Sequence, residues 1–352
     1  MKVSHPQKIL IVRTDRIGDV VLSLPMISAL RSGFPRSSIS FLLRSYTQDL
    51  VATQTGLDQL LLYDREGVRK SFGGMLAELR KNKFDTVIVT YPTFRLAALM
   101  FLAGIPVRIG TGYRWYSLLF NRRVYEHRKT AEKHEAEYNL SLLRQLGCPV
   151  PERPRPRLRV DETSRQTAAT ILRDLSIGRK DTLILLHPGS GGSARDWKPE
   201  RFGSLARRLS REGFKTVVTG GPGEEGLMNE VVRISEGAAQ MLPRVLSLGE
   251  LAAFISEAHV FVANSTGPLH IAAAVGTPVV GFYPPMIQCS SRRWGPLTDD
   301  RIVFEPNGAD CPRCKGETCE GNECMDLISV EEVMMAVRKL CPEHRNKTTV
   351  YA

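Results

Sequence analysis

The chain lacks any apolar run long enough to cross a bilayer. Its longest candidate, Leu96 to Val107, is about half the length required and contains Gly104-Ile105-Pro106. It also lacks an apolar leader: Met1 to Gln7 is polar and the next apolar run has the length of a strand, so a cytosolic protein is expected. No recognisable nucleic-acid-binding motif accompanies its positive charge, so nucleic acid is not an expected partner. Acidic residues are scarce in the first half. Residues 1–160 hold 26 Lys and Arg against 13 Asp and Glu (+13), whereas residues 161–352 hold 22 against 24 (−2), which together give the +11 of the whole chain. A basic bias confined to one half suggests an anionic partner, a phospholipid surface or a phosphorylated glycan.

What is present is ordinary for a globular protein: 42% apolar and 24% charged residues over 352 positions, too many for one core and suited to two domains. Seven cysteines occur. Cys311, Cys314, Cys319 and Cys324 cluster with x2, x4 and x4 spacing, while Cys148, Cys289 and Cys341 are scattered. In a cytosolic protein such a cluster reads either as a structural zinc tetrathiolate, with non-standard spacing, or as reduced cysteines in a compact loop.

Short β-branched runs alternate with helical spacing through both halves, which implies βαβ units and parallel sheets. In the first half, strands are expected at 8–13, 39–44, 58–63, 85–90 and 108–110, with a helix over 20–32 and a long helix over 131–146. Four prolines between Pro149 and Pro156 make a semi-rigid connector. The boundary is placed there, giving an N-terminal domain 1–156 and a C-terminal domain 157–352. In the second half, strands are expected at 181–187, 215–219, 243–248, 259–263 and 278–282. Residues 284–312 read mostly as loop, and a terminal amphipathic helix over 329–340 is expected, free to pack back towards the N-terminal domain.

Four loops follow strands and carry chemistry. The loop Arg13 to Asp19 offers Asp15 and Asp19 beside Arg13 and Arg16. Asp19, at a helix start, reads from chemistry alone as a cap before a general base. His187 to Lys198 is rich in Gly and Ser and carries Ser190, Arg195 and Lys198, a cradle suited to a diphosphate. Gly221 to Gly226 matches G-x-G-x-x-G after a strand, but Pro222 and the missing downstream acid argue against a nicotinamide oxidoreductase. There Glu224 or Glu225 is suited to ribose hydroxyls. In Asn264-Ser265-Thr266-Gly267-Pro268-Leu269-His270, Ser265 or Thr266 would cap a helix whose N-terminus faces an anion, with Gly267 and His270 beside it. Together these loops suit a nucleoside diphosphate.

The stretches 13–25, His187-Pro188-Gly189-Ser190 with Arg195-Asp196-Trp197, 220–225 and 264–270 resemble glycosyltransferase family 9, the ADP-heptose:lipopolysaccharide heptosyltransferases, in the family's order. The resemblance implies a GT-B fold, two Rossmann-like doubly wound domains facing each other across a cleft. It also implies inverting, membrane-associated transfer of a heptose from ADP-heptose to the lipopolysaccharide inner core, with no cofactor for the chemistry. Asp19 would be the general base; Ser190, Arg195, Lys198, Glu224, Glu225, Ser265, Thr266, Gly267 and His270 would hold the nucleotide sugar. Ser265 departs from the Asp that many members carry. The basic half would meet the phosphorylated lipid A/core acceptor at the inner leaflet of the cytoplasmic membrane, through Arg13, Arg16, Arg44, Arg108, Arg114, Arg122 and Arg123. The alternatives are another sugar nucleotide or acceptor, or a catalytically silent nucleotide-binding protein.

Overall fold

The computed structural model describes residues 5–192, 195–306 and 322–342, apart from the side chains of residues 322–323. The chain divides into two compact units, Met1–Arg128 with Lys133–Arg159, and Lys129–Glu132 with Val160–Ala352. The first contains β1 (Lys8–Val12), α1 (Ile17–Val21), α2 (Pro25–Gly33), β2 (Ser38–Leu43), α3 (Asp49–Ala52), β3 (Gln59–Leu62), the short hairpin β4 (Asp64–Arg65) and β5 (Val68–Arg69), α4 (Phe72–Asn82), β6 (Thr86–Val89), α5 (Phe94–Leu102), β7 (Val107–Thr111), β8 (Arg122–Val124) and α6 (Glu135–Ser141). The second contains α7 (Glu162–Asp174), β9 (Leu183–His187), α8 (Pro199–Arg211), β10 (Lys215–Val218), α9 (Glu225–Ile234), β11 (Ala239–Met241), α10 (Leu248–Ser256), β12 (Val260–Asn264), α11 (Gly267–Val275), β13 (Val279–Phe282), α12 (Ser291–Trp294), β14 (Arg301–Phe304) and α13 (Val330–Leu340).

Each unit is built on a six-stranded parallel sheet. Their orders, β3-β2-β1-β6-β7-β8 and β11-β10-β9-β12-β13-β14, are the same Rossmann order, 3-2-1-4-5-6 within each unit. The central strands β6, β9 and β12 are buried at every residue and β1 at all but its first, which is why they read as unbroken apolar runs. The order reverses between β1 and β6 in one sheet and between β9 and β12 in the other. At such a reversal, successive crossovers leave in opposite directions, so the loops after the two strands part and leave a crevice at their carboxyl ends.

Local chemistry sets where the elements differ from expectation. Pro25 opens α2 and divides the helix expected over 20–32 into α1 and α2. The long helix expected over 131–146 begins later, where His134 and Glu137 form a reciprocal cap, and its last turn, 142–146, is 3-10. The strand expected at 243–248 lies earlier, as β11, because Ser247 and Glu250 form a capping box that opens α10. The edge strands β8 and β14 were not legible in the sequence, and β14 lies within the segment read as loop. Helix α13 starts at a capping box between Ser329 and Glu332, and Val333, Met334, Ala336 and Val337 join the core of the second unit.

That core is anchored by fully buried Trp197, whose ring centroid lies 4.9 Å from Phe202 and 4.5 Å from Phe282. Its indole Nε1 donates to the Ile328 carbonyl at 3.0 Å, which ties the residues before α8 to those before α13. Phe282 also faces Phe304 of β14 at 6.0 Å. Phe282→Ala therefore removes a ring surrounded by rigid aromatic neighbours. It is expected to destabilise the second unit by about 3–5 kcal/mol, read as a fall in its urea midpoint with an unchanged slope.

Candidate functional site

In the first unit the loop after β1 lies at the reversal of the sheet. Its centre is Arg13, a residue only 1% exposed. Nε donates to Asp15 Oδ1 at 2.7 Å, Nη1 to Asn139 Oδ1 at 3.1 Å and Glu135 Oε1 at 3.3 Å, and Nη2 to Asp19. Arg128 pairs with Glu135 from the other side. Helix α6 supplies Glu135 and Asn139 one turn apart, and Asn139 in turn donates to Ser23 Oγ at 3.2 Å, while Ser23 donates to the Asp19 carbonyl at 2.8 Å. Burial works against the Arg13 charge, but Asp19, Asp15 and Glu135 more than offset it, so the guanidinium stays protonated.

Two arginines here face three carboxylates, one negative charge in excess. That excess falls on Asp15: burial pushes its carboxyl up to about 7, against the pull of Arg13 and with added repulsion from Asp19. Tyr46 donates to the Asp15 carbonyl at 2.6 Å, which fixes the loop. Asp19 sits in α1, in the first turn, with its side chain 13% exposed. It is not a cap: the N-cap is Arg16, and no side chain caps this short helix.

In the second unit the loops after β10, β9 and β12 leave neighbouring strands, so the three stretches singled out in the sequence share one edge of the sheet. Asn264, fully buried at the end of β12, holds the next loop in place. Its Nδ2 donates to the Pro188 carbonyl at 2.6 Å, and its Oδ1 accepts from the Trp197 backbone N–H at 2.8 Å. His187 is buried at the end of β9 with Nδ1 3.0 Å from Thr219 Oγ1. Burial pushes its imidazole down to about 4, against the pull of Glu224, so it is neutral at physiological pH. Glu224 turns back onto this loop: it accepts from the Gly221 N–H at 2.7 Å and packs where a β-carbon on Gly189 would overlap it. Gly189 is thus the residue that admits the carboxylate.

Helix α11 begins at Thr266, the N-cap, with extended backbone and a hydroxyl that caps nothing in its own helix; Pro268 follows in the first turn. Thr266 and Gly267 are half-buried, and His270 is buried one turn in. The first-turn amides and the positive end of the helix dipole therefore lie at the same edge as Ser190 and Glu224.

The other expected site residues divide by surroundings. Ser190 is buried and bonds the Asp196 carboxylate, and Arg195 is half-buried. Lys198 pairs with Asp326, which also pairs with Arg201, so its ammonium is committed to the approach to α13. Ser265 bonds Tyr283, whose own hydroxyl donates to the Trp294 carbonyl at 2.7 Å. Glu225 is exposed on the first turn of α9. Arg13, expected to face an acceptor, is instead buried in its carboxylate cage. Arg16, Arg114 and Arg123 are exposed, Arg44 pairs with Asp64 at 3.0 Å, and Arg122 donates to the Gln145 carbonyl. Sequence reasoning missed Asn264's structural role and the cage formed by Glu135, Asn139 and Arg128. The pairing of Glu135 and Asn139 at one-turn spacing was the available signal for the cage. Cys311, Cys314 and Cys319 lie outside the described residues, and Cys324 is buried in the second core. Among the described residues no group of three or more His, Cys, Asp or Glu side chains is placed to hold a metal ion. No described helix is long and apolar enough to cross a membrane.

The raised Asp15 gives a test by linkage. Between about pH 4 and pH 7 the folded chain keeps a proton that the unfolded chain has released, so this residue's contribution to stability falls as pH rises through that window. Asp15→Asn removes the titration. Relative to wild type, the variant is expected to gain on the order of 2–4 kcal/mol between pH 4 and pH 7.5, measured by urea unfolding across pH. A wild-type/variant difference that does not change with pH would contradict the raised value.

Comparison with known proteins gives the family and the fold. The sequence model of Glycosyltransferase family 9 (heptosyltransferase) matches residues 74–324, more than half of the chain. A putative glycosyltransferase of Haemophilus influenzae is 28% identical over 338 residues, covering 94% of this chain and 96% of that one. Lipopolysaccharide heptosyltransferase 3 of Escherichia coli K12 is 25% identical, covering 93% and 96%. Among solved structures, a glycosyl transferase family 9 protein from Veillonella parvula superposes with a TM-score of 0.81 at 25% identity, covering 96% of this chain and 97% of that one. The E. coli heptosyltransferase WaaC, solved with ADP-2-deoxy-2-fluoro heptose, superposes at 0.67 with 18% identity, covering 95% and 99%, a likeness of fold. With two Rossmann-like domains of the GT-B class and a family match over most of its length, this chain belongs to glycosyltransferase family 9 (heptosyltransferase) and is a glycosyltransferase.

Proposed function

We propose that this enzyme transfers a heptose from ADP-heptose to a hydroxyl of the phosphorylated lipid A/core acceptor, with inversion, using Asp19 as general base. The observation that carries the reading is the presence in one chain of two switch points of opposite character. One presents carboxylates ordered around a buried guanidinium; the other presents hydroxyls, amides and a helix N-terminus. The relatives named as lipopolysaccharide heptosyltransferases and the heptosyltransferase solved with an ADP-heptose analogue supply the donor and acceptor. The family match begins at residue 74, after the Arg13–Asp19 loop, so the role of Asp19 rests on its geometry and on the resemblance of its motif.

Inversion is a single displacement. The acceptor oxygen attacks the anomeric carbon, its proton passes to a carboxylate, and the bond to ADP breaks on the opposite face. Arg13 donates to the Asp19 carboxylate and fixes its rotamer, while burial raises the proton affinity of the neighbouring Asp15. Charge that develops on departing ADP meets the α11 N-terminus, the Thr266 hydroxyl, Ser190 and Arg195, and Glu224 is suited to ribose hydroxyls. No protein metal is assigned a role in this chemistry. Arg16, Arg44, Arg114, Arg122 and Arg123 are candidates for the acceptor's phosphates. With that acceptor, the enzyme works in the cytoplasm as a peripheral protein of the inner membrane.

Asp19→Asn, which keeps size and loses basicity, is expected to lower kcat with ADP-heptose by at least about a thousandfold while ADP binding stays within about twofold of wild type. A variant that retains a tenth of the activity would remove Asp19 from the role of base. Thr266→Val is isosteric and costs the helix no cap, so its melting temperature should be unchanged. Its kcat should fall by about a hundredfold, the usual cost of one lost donor to developing charge.

A further inference from the structure

Residues 86–125 contain five arginines and no Asp or Glu over forty consecutive positions. The same stretch carries an unusual share of the exposed large apolar side chains. Trp115 is 72% exposed, Leu118 65% and Phe94 51%, with Phe101 and Leu102 close behind. These side chains are scattered neither in sequence nor in space. Phe94, at the start of α5, stacks on Trp115 with ring centroids 4.9 Å apart. Trp115 opens the 3-10 turn Trp115–Leu119, which carries Leu118. At the other end of α5, the Arg108 guanidinium lies 5.2 Å over the Phe101 ring and its Nε donates to the Leu119 carbonyl at 2.8 Å, which links helix and turn. Arg123 is fixed beside them, with Nε donating to the Phe120 carbonyl at 3.0 Å.

The result is one apolar, aromatic face with arginines held at its rim by backbone carbonyls. An apolar patch of this kind on a protein surface marks a contact with something less polar than water. Its charge decides what. A second copy of the chain would bring two acid-free, arginine-bearing faces together, and like charges at close range oppose that contact. An acidic protein would answer the arginines but not a protruding indole and leucine. An anionic bilayer answers both: Trp and Phe favour the headgroup boundary, the leucine reaches the first acyl carbons, and arginines meet lipid phosphates.

We propose that the face formed by Phe94, Phe101, Trp115 and Leu118, rimmed by Arg108 and Arg123, is the surface by which this enzyme sits on an anionic lipid bilayer. The inference deepens the reading of a lipid-borne acceptor and specifies the side chains that make the contact. It concerns binding to lipid alone, so it stands or falls separately from the sugar transfer.

The experiment is co-sedimentation of the full chain with vesicles, without donor or acceptor. Vesicles of phosphatidylcholine are compared with vesicles holding about one-third phosphatidylglycerol. Wild type is expected to bind the anionic vesicles, to be released at about 0.5 M salt, and to bind the neutral ones at least about tenfold more weakly. Trp115→Ser combined with Leu118→Ser should lower partitioning to the anionic vesicles by about tenfold or more. Because both side chains point to solvent, the melting temperature and the ADP affinity of the double variant should match wild type. Brominated acyl chains should quench the fluorescence of wild type, in which Trp115 is exposed, Trp294 half-buried and Trp197 fully buried, and this quenching should be lost in the double variant. The proposal is overturned if wild type binds neither vesicle, or binds both alike, or if the double variant binds as wild type does. It is equally overturned if sedimentation equilibrium shows a wild-type dimer that the double variant abolishes, since the face would then be covered by a second copy.

Discussion

A parallel sheet covered by helices on both faces has no room for polar groups in its interior, so every polar function is displaced to the strand ends. Both sheets of this enzyme obey that constraint, with central strands that are buried along nearly their whole length. The connections then leave only one place where neighbouring loops part, at the reversal between β1 and β6 and at that between β9 and β12. Arg13 and Asp15 lie on the loop after β1 and Asp19 in the first turn of α1; His187 ends β9, and Ser190 and Thr266 lie on the loops after β9 and β12. The chemistry stands where the topology leaves backbone amides and side chains unsatisfied by the sheet.

The two switch points solve the problem of buried charge in opposite ways. In the first unit, charge is gathered and balanced. Arg13 is removed from water and has to be surrounded by acceptors, and the cage of Asp15, Asp19, Glu135 and Asn139 provides them. Because this arrangement carries more carboxylates than guanidinium groups, one of them gains proton affinity, and burial places that gain on Asp15. The cage also fixes the orientation of Asp19. In the second unit, the strand ends are held by neutral groups. His187 is held neutral by burial, Asn264 satisfies the backbone of the following loop without bringing charge, and the field at the edge comes from the α11 terminus. An edge of clustered carboxylates around a guanidinium and an edge of hydroxyls and helix-terminal amides make different demands on burial, and each sheet edge meets one of them.

The alternation of strand and helix, the strand ends that carry function and the family were legible because each depends on local sequence. Apolar runs identify buried strands, and Ser265-Thr266-Gly267-Pro268 announces a helix start, although the Thr266 hydroxyl makes no capping bond in that helix. Helix starts controlled by tertiary or capping interactions were less legible. The cap at His134 shortened the helix read over 131–146, and the Ser247–Glu250 box displaced a strand read at 243–248. The edge strands β8 and β14 escaped notice because a half-solvated strand has no continuous apolar signal. Lys198 and Ser265 looked like ligand contacts for their residue type. Their partners, Asp326 and Tyr283, lie 128 and 18 residues away, and residue type could not reveal them.

By itself the sequence determined two α/β units, a basic first half and four polar loops at strand ends, because periodicity, capping chemistry and charge count are properties of neighbouring residues. Only the tertiary structure decided which arginines face solvent and which are buried, that Glu224 rather than Glu225 turns onto the β9 loop, and that the proton affinity of the first loop rises at Asp15. Each of these depends on desolvation and on partners distant in the chain, as when α6 brings Glu135 and Asn139 against Arg13 from more than a hundred residues away. Burial and pairing are set by the packed whole, and no local pattern encodes them.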